Sequence, residues 1–247
     1  MPNSHIAALP PHERVPDFDA LGITAFTTTR NAGSYGTHSE EPVREVMARW
    51  DALRSSLLVA TPRFATAWQV HGTHIAEHDG AWEGWLRVWE ADGHFAPRRG
   101  TAMAVTVADC VPIFIAHPEG AVAIVHSGWR GTAARIVERA IAAFSRQGLA
   151  AAELLVHLGP AICGTCYEVS AEVAAALTGR PATGPQRVDL RALIAEHARA
   201  AGVTELTISR RCTRCDNALY FSHRAGDAGR QLAVIAACVE LARVDSP

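Results

Sequence analysis

The sequence predicts a mixed α/β fold that forms a single domain, and two observations support this prediction. Three short apolar runs occupy the middle of the chain, at 102–108, 111–116 and 121–125, and such continuous runs are typical of strands buried on both faces. Helical patterns surround these strands, and no repeat or low-complexity linker divides the chain. With 247 residues, the chain is long enough to bury a large core.

The first hundred residues carry alternating strand and helix signals. A β-prone segment at 23–29 predicts a strand that ends in a loop rich in Asn and Gly. A helix is predicted over 42–57, because Pro42 suits the first turn of a helix. A further strand is predicted over 64–70. Residues 80–99 contain three Trp and three Gly without clear periodicity, and we expect them to be irregular.

The second half of the chain continues the alternation. Apolar residues on one helical face predict a helix that begins near Ile136 and ends at Gly148. The remaining predictions are strands at 154–158 and 205–209, and helices around 171–177, 189–201 and 230–242.

Composition excludes several classes of protein. Hydrophobic residues make up 49% of the chain and charged residues 19%, which is an ordinary globular balance. The net charge of −2 gives no bulk attraction to nucleic acid or to an anionic membrane, and no apolar run is long enough to span a bilayer. Pro and charged residues interrupt the N-terminus, and the six cysteines suggest a reducing compartment, so we expect a cytoplasmic protein. Residues 1–20 are expected to be a loosely ordered start to one domain spanning 1–247.

Three segments place a metal ligand at the end of a buried strand. They supply His71 in QVHG, Cys110 in ADCVP and His126 in HSGWRGT. Two imidazoles and one thiolate suit Zn²⁺ and leave its fourth tetrahedral position open, as in catalytic zinc sites. Each signal is weak alone, since a single His after a strand is more often structural and a single buried Cys is usually packing.

Taken together, these segments point to a known family. The order of FTTTR, QVHG, EADG, TVADCVPI, HSGWRGT, LGPAIC with CYEV, and CT with YFSHR and GRQ resembles the multicopper polyphenol oxidase-like (laccase-domain) family of zinc-dependent purine nucleoside phosphorylases. The resemblance runs from about residue 23 to 238. It implies a single domain with a layered αββα sandwich, and zinc held by His71, Cys110 and His126, which would also be catalytic.

The resemblance also implies an activity and its partners. The family's reactions are phosphorolysis of adenosine, inosine, guanosine and methylthioadenosine, together with adenosine deamination, so the expected partners are a purine nucleoside and phosphate. The expected assembly is a monomer or weak homodimer. Some family members are instead described as peptidoglycan-editing factors, and an editing factor or nucleoside-binding protein of different specificity stays the alternative.

Further site residues are predicted around the three ligands. GWRGT opens a predicted helix, so its backbone N–H groups and Arg130 are suited to phosphate, and Arg30 is a second candidate. Gln69 and Tyr167, in segments that resemble the family, are predicted substrate contacts. Asp109 is a candidate proton donor or acceptor, or a residue that orients a ligand. The structural alternatives are an ion-paired helix start for Arg130 and a turn residue for Asp109.

Two CxxC pairs raise a competing interpretation. Cys163 and Cys166 are separated by 45 residues from Cys212 and Cys215, a spacing that allows a closed zinc site of four thiolates. Packed free thiols and a disulfide are the other options. A scaffold protein with only this second metal site is the third hypothesis. Copper can replace zinc at the three-residue site, but the chain has no His-x-His, so laccase copper chemistry is not expected.

Overall fold

Two six-stranded β-sheets dominate the structure, a computed structural model that describes residues 9–58 and 60–239. The strands in chain order are β1 (His12–Arg14), β2 (Ile23–Thr28), β3 (Arg63–Ala67), β4 (Ile75–Glu77), β5 (Gly84–Val88), β6 (Gly93–Ala96), β7 (Thr101–Val107), β8 (Val111–Ala116), β9 (Val122–Ser127), β10 (Leu155–Leu158), β11 (Glu168–Val169), β12 (Gln186–Arg187), β13 (Glu205–Ile208) and β14 (Gln231–Ala237). The α-helices are α1 (Val43–Leu58), α2 (Trp129–Ala133), α3 (Ile136–Arg146), α4 (Ala171–Thr178) and α5 (Leu190–Ala200).

Each sheet mixes parallel and antiparallel pairs. Sheet one has the order β1-β2-β14-β7-β3-β5, and sheet two has the order β13-β10-β8-β9-β6-β4. A short third sheet pairs β11 with β12. In sheet two, β8 and β9 are antiparallel, whereas β10 and β13 are parallel. These two pairings bring together the loops that form the sites described below.

Three hydrophobic cores separate the layers. The first lies between α1 and sheet one, where Trp50 and Leu53 meet Phe64. The second lies between the sheets and includes Met103 and Phe114. The third packs α3, α4 and α5 on the outer face of sheet two. The order of layers is therefore helix, sheet, sheet, helices, which confirms the expected single-domain αββα sandwich.

The predicted helix at 230–242 is wrong. Residues 231–237 form β14, which is antiparallel to β2 on one side and β7 on the other. Alternate residues of β14 face different cores: Leu232 and Val234 face the core with α1, and Ala233 and Ile235 face the core between the sheets. Burial on both faces overrides the helix propensity of the alanines. Residues 240–242 lie outside the described residues.

The expectation that residues 80–99 are irregular is also wrong. Gly84–Val88 forms β5 at the edge of sheet one, and Gly93–Ala96 forms the fully buried β6 in sheet two. An edge strand is half exposed, so it lacks a clean apolar pattern, and a four-residue strand is too short to show one. The strand predicted over 64–70 is too long, because β3 ends at Ala67.

The other predicted helices and strands are confirmed, with small shifts at their ends. Of the segment 1–20, residues 1–8 lie outside the described residues. His12–Arg14 pairs with β2, and a 3-10 helix follows at Pro16–Leu21. The domain bounds stay a prediction. None of the helices in the described parts of the chain is long and apolar enough to cross a membrane.

Candidate metal centre and its cavity

The three predicted metal ligands come together at one point. The side-chain ligand atoms of His71, Cys110 and His126 all lie within 4.8 Å of one another. Cys110 lies in the turn between β7 and β8, and the pairing of Pro112 with His126 across β8 and β9 brings that turn next to His126. The rings of His71 and His126 are nearly perpendicular, with centroids 4.7 Å apart.

The buried carboxylate of Asp92 organises two of these ligands. It accepts backbone N–H groups from Val70 at 3.2 Å, His71 at 2.9 Å and Gly72 at 2.6 Å. It also accepts a hydrogen bond from Nδ1 of His126 at 2.9 Å, which leaves Nε2 of His126 for a metal. These bonds hold His71 at φ 59°, a left-handed conformation that a non-glycine residue adopts only when its surroundings impose it.

The charges of the site favour a cation between the ligands. Burial would raise the pKa of the Cys110 thiol, but the charge of His126 and hydrogen bonds from both histidines lower it to about 6. Burial would lower the pKa of His126, but Cys110 and Asp92 raise it to about 9. Burial opposes ionisation of Asp92 too, yet its hydrogen bonds with His126 and Gly72 lower its pKa. The site thus stabilises a thiolate, the form of cysteine that binds metals.

Gly128, at the start of α2, leaves the space that the ligands occupy. A Cβ atom at this position would lie 2.9 Å from Sγ of Cys110 and 3.3 Å from Cδ2 of His71. Any larger residue at this position would clash with the ligand atoms. This lack of space explains the glycine, and its backbone φ does not. The two imidazoles, the thiolate and this close packing fit a borderline-soft cation such as zinc.

A cavity of about 850 Å³ opens above the three ligands. Its volume lies in the range of small-molecule sites. Trp50 and Trp85 stack at 5.5 Å in its wall, and Trp68 is 42% exposed beside them. Arg87 and Arg230 supply positive charge, and Asp227 is the one carboxylate among the described residues that line the cavity.

Two predicted substrate contacts have their polar groups already paired. Gln69 lines the cavity, but its amide bonds to Thr106, donating to the carbonyl at 2.9 Å and accepting the backbone N–H at 2.7 Å. This pairing holds the segment that leads to His71. Arg30 donates to Asp227 at 2.7 Å and to two backbone carbonyls, and its guanidinium lies 4.4 Å from the ring centroid of Phe221. The geometry of Arg30 is that of a clamp between loops, away from the cavity lining.

Asp109 sits at φ 79° directly before the ligand Cys110. Its carboxylate accepts the hydroxyl of Thr213 at 2.6 Å and the backbone N–H of Arg224 at 2.7 Å. Both oxygens therefore fix loops around the ligand turn, and the geometry favours the alternative of a turn residue. The predicted catalytic role of Asp109 stays a prediction.

Tyr167 and Arg130 lie close to the site but do not line the cavity. Burial, with the nearby Cys110 charge, raises the pKa of Tyr167 to about 12, so this phenol is neutral at physiological pH. The guanidinium of Arg224 lies 5.1 Å from its ring centroid. Arg130 is exposed on α2, with its guanidinium 4.4 Å from the ring centroid of Trp129. The binding roles of both residues stay predictions.

Comparison with known proteins shows the family of this chain. Residues 25–238 match the family described as multi-copper polyphenol oxidoreductase laccase. The chain belongs to this family. A curated relative from Geobacillus stearothermophilus, purine nucleoside phosphorylase YlmD, is 32% identical over 87% of this chain and 90% of its own length. The crystal structure of YlmD has a TM-score of 0.82 and 29% identity, covering 94% of this chain and 98% of that chain. Adenosine deaminase RL5, from an unknown prokaryotic organism, is 35% identical over 61% of this chain and 60% of its own length.

Sequence reasoning missed the most connected residue of this family member's site. Asp92 lies in the EADG segment, which carried the family resemblance, but its role depends on partners 20 to 34 residues away. The cavity aromatics were also missed, because Trp50, Trp68 and Trp85 come from different elements. The tryptophans of residues 80–99 could have indicated an aromatic cavity wall. Because this segment has no clear periodicity, it was predicted to be irregular.

Proposed function

We propose that this chain is a zinc-dependent purine nucleoside phosphorylase that acts on adenosine, inosine, guanosine and methylthioadenosine. The observation that carries the proposal is the set of three ligands, His71, Cys110 and His126, which lines a cavity of nucleoside size. The names of its relatives support the reaction class, since YlmD is named a purine nucleoside phosphorylase.

His71, Cys110 and His126 would hold the zinc. When bound there, zinc would supply Lewis acidity to the cavity that these ligands line. The chain's own residues hold these ligands in place: Asp92 fixes the ring of His126 and the turn at His71, and Asp109 fixes the turn at Cys110.

The cavity wall is suited to a purine base. Trp68 presents an exposed indole, and His38 lies edge-on to it with centroids 6.2 Å apart. The guanidinium of Arg87 lies 5.6 Å from the centroid of the indole, which fixes the ring. A flat base that stacks on such a ring loses its contact with water without needing matched hydrogen bonds.

The same cavity is suited to an anion. Arg230 lines it, and one terminal nitrogen of its guanidinium bonds to three carbonyls of its own loop, including Gly229 at 2.7 Å. Among the described residues none bonds to its other two guanidinium nitrogens, which we assign to phosphate oxygens. Asp227 does not oppose this charge, because it is ion-paired with Arg30 at 2.7 Å. We assign phosphate binding to Arg230 and Arg87, which line the cavity, and Arg130, which does not line it, stays a predicted contact.

The reaction requires one substitution at the sugar. A phosphate oxygen forms a bond to C1′ of the ribose, the bond from C1′ to the purine nitrogen breaks, and the purine takes up a proton. The products are the free base and ribose 1-phosphate, or 5-methylthioribose 1-phosphate when the substrate is methylthioadenosine. The cavity residues orient the two substrates and exclude water. This orientation speeds the reaction, since a well-oriented pair reacts faster than partners that meet in solution.

Adenosine deamination is a second candidate activity, favoured by the similarity to adenosine deaminase RL5. Water would replace the 6-amino group, releasing inosine and ammonia. We place the protein in the cytoplasm, since free thiols such as those of the described cysteines are typical of a reducing compartment. A monomer or weak homodimer is sufficient, since all three ligands come from one chain.

The test is product analysis with adenosine, in buffer with and without phosphate. We expect adenine and ribose 1-phosphate only with phosphate, and inosine in both buffers if deamination also occurs. Cys110→Ala should abolish both products, whereas Cys238→Ser, at a buried cysteine outside the cavity lining, should not. Zinc-loaded wild-type protein that forms neither product would contradict the proposal and favour a non-catalytic or cell-wall-editing member of the family.

A further inference from the structure

Two CxxC turns meet outside the cavity lining, next to the turn that holds Cys110. The sulfur atoms of Cys163, Cys166, Cys212 and Cys215 all lie within 4.8 Å of one another, and those of Cys166 and Cys215 are 3.4 Å apart. All four thiols are free. Neither the proposed reaction nor the cavity uses them.

The topology of sheet two brings these turns together. The strands β10 and β13 are parallel neighbours, so the loops that follow them leave the same edge of the sheet. A parallel bridge between Ala161 and Cys212 continues this pairing, and the N–H of Thr213 donates to the carbonyl of Ala161 at 3.2 Å. The separation of 45 residues in sequence is therefore closed by backbone pairing.

Each turn is anchored by its surroundings. In the first, the N–H of Cys166 donates to the carbonyl of Cys163 at 3.0 Å. Gly164 packs so closely on Asp189 that a Cβ atom would lie 2.9 Å from the Cβ of Asp189. The second turn is held by the buried Arg191, which donates to the carbonyls of Ser209 at 2.6 Å and Arg211 at 2.8 Å. These contacts thus fix the backbone of both turns without a bound ligand.

Donors and positive charge surround the sulfur atoms. Backbone N–H groups of Cys163 and Cys215 point at Sγ of Cys212, at 3.3 and 3.4 Å. Such donors stabilise a thiolate, because hydrogen bonds to a charged acceptor favour the charged form. Arg214 lies between the cysteines of the second turn and donates to the carbonyl of Cys166 at 3.2 Å. Its cation partly offsets the excess negative charge that four thiolates around a divalent ion would carry.

We propose that Cys163, Cys166, Cys212 and Cys215 form a second metal site, a closed structural zinc site of four thiolates. Zinc binds thiolates at about 2.3 Å in a tetrahedron, which sets the sulfur atoms about 3.8 Å apart, close to the separations here. With four protein ligands the ion has no open position, so this site does not catalyse. A disulfide uses only two sulfur atoms, and the mutual approach of all four, with N–H donors on Cys212, favours the metal.

The structural consequence of this zinc lies at Asp109. Thr213, next to Cys212, donates to the carboxylate of Asp109, and the N–H of Ile162, next to Cys163, donates to its carbonyl at 3.1 Å. Zinc between the two turns would therefore fix the loops that hold the turn of Cys110. The inference about the metal site does not depend on the proposed function, because its readouts are metal content and stability.

The experiment counts zinc in the Cys110→Ala background, which removes the first site. Protein purified with reductant and zinc is desalted, and zinc per chain is measured by mass spectrometry. We expect about two zinc ions per wild-type chain and about one in Cys110→Ala. Adding Cys163→Ser and Cys166→Ser should remove the remaining ion and lower the thermal midpoint. Cys238→Ser is the control that should retain both.

A milder variant covers the case in which the multiple variant does not fold. Cys215 is exposed, so Cys215→Ser should fold, yet it should lose zinc to a chelator at least about tenfold faster, and Cys215→His, which restores a zinc ligand, should recover much of the difference. Cobalt-loaded Cys110→Ala should show the intense absorption of a thiolate-bound ion. No zinc in Cys110→Ala, equal zinc release from Cys215→Ser and its parent, or a Cys166–Cys215 disulfide in reduced preparations would overturn the inference.

Discussion

The carboxylate of Asp92 lies 2.9 Å from Nδ1 of His126 and also caps the turn that presents His71. One buried side chain therefore positions ligands from two separate loops. Because Asp92 is fully buried and accepts four hydrogen bonds, it cannot shift without releasing both ligands. The geometry of the candidate metal site depends on this carboxylate as much as on the three candidate ligands themselves.

The first prediction concerns Asp92→Asn. The amide retains the size of the carboxylate but loses the charge and half of its acceptors, so the ring of His126 and the turn at His71 are held less firmly. We expect zinc affinity to fall about 10- to 100-fold, the usual effect of removing such a partner. Competition with a chromogenic chelator measures the change. Glu90→Gln, an exposed change in the same loop, is the control, and equal affinity of the two variants would contradict the role of Asp92.

The second prediction concerns the space at Gly128. In Gly128→Ala the added Cβ would lie 2.9 Å from Sγ of Cys110, so the ligand must move or the start of α2 must shift. We expect a loss of about 1–3 kcal/mol, shared between zinc affinity and the free energy of unfolding. Titration and denaturant unfolding separate the two. At Gly184 a Cβ meets no atom within 4 Å, so Gly184→Ala is the matched control. Unchanged zinc binding in Gly128→Ala would show that the ligands are not tightly packed.

The contrast between predicted and observed features has a physical origin. Strands β7, β8 and β9 were predictable because they are buried on both faces and read as continuous apolar runs. The same pattern in β14 was mistaken for a helix, because its alanines favour a helix and only the pairing with β2 and β7 overrides that preference.

The site divides in the same way. Local motifs predict His71, Cys110 and His126 as candidate ligands, because each ends or follows a recognisable strand, and the structure brings the three side chains together. The partners of Arg30 at Asp227 and of Asp109 at Thr213 lie 197 and 104 residues away in sequence, so no local pattern shows that these side chains are already occupied. The prediction of a binding residue from sequence is therefore least reliable where the long-range partners of that residue are unknown.

The third prediction distinguishes the two roles considered for Asp109. If it orients the turn of Cys110, Asp109→Asn should reduce kcat by less than the hundredfold or more expected of a general acid or base. Asparagine tolerates the left-handed conformation, so the turn survives. Thr213→Val, which removes one donor to the carboxylate, should give a comparable loss, and the pH profile should keep its shape in both. A much larger loss in Asp109→Asn alone would instead support proton transfer.

The fourth prediction concerns the base-binding wall. Trp68→Ala removes the exposed indole from the cavity, so the KM for adenosine should rise about 2- to 10-fold while kcat changes little. Trp89 stacks on Trp68 with ring centroids 5.7 Å apart but does not line the cavity, so Trp89→Ala should have a smaller effect. Steady-state kinetics with adenosine at saturating phosphate measures both. An unchanged KM in Trp68→Ala would place the base elsewhere in the cavity.

The fifth prediction concerns two buried histidines away from the cavity. His78 and His94 stack with ring centroids 5.2 Å apart and share a hydrogen bond of 2.9 Å between ring nitrogens. Burial, opposed by the charge of Asp79, lowers the pKa of His78 to about 4. Burial, together with His78, lowers the pKa of His94 to about 3. Both rings are therefore neutral in the folded protein at physiological pH.

The sign of the pH dependence follows from these values. In the unfolded chain a histidine takes up its proton near pH 6.5, whereas these two take it up only near pH 4 and 3 when folded. The unfolded state binds more protons in between, so stability is fully present above pH 6.5 and is lost as the pH falls towards 4. Each histidine should lower the free energy of unfolding by about 2 kcal/mol between pH 7 and pH 5. His78→Asn should remove about half of this slope, and His38→Asn, at an exposed histidine, should leave it unchanged. Urea unfolding of the zinc-loaded proteins across this range measures the slopes, and parallel slopes for wild type and His78→Asn would show that the pair does not stay neutral on folding.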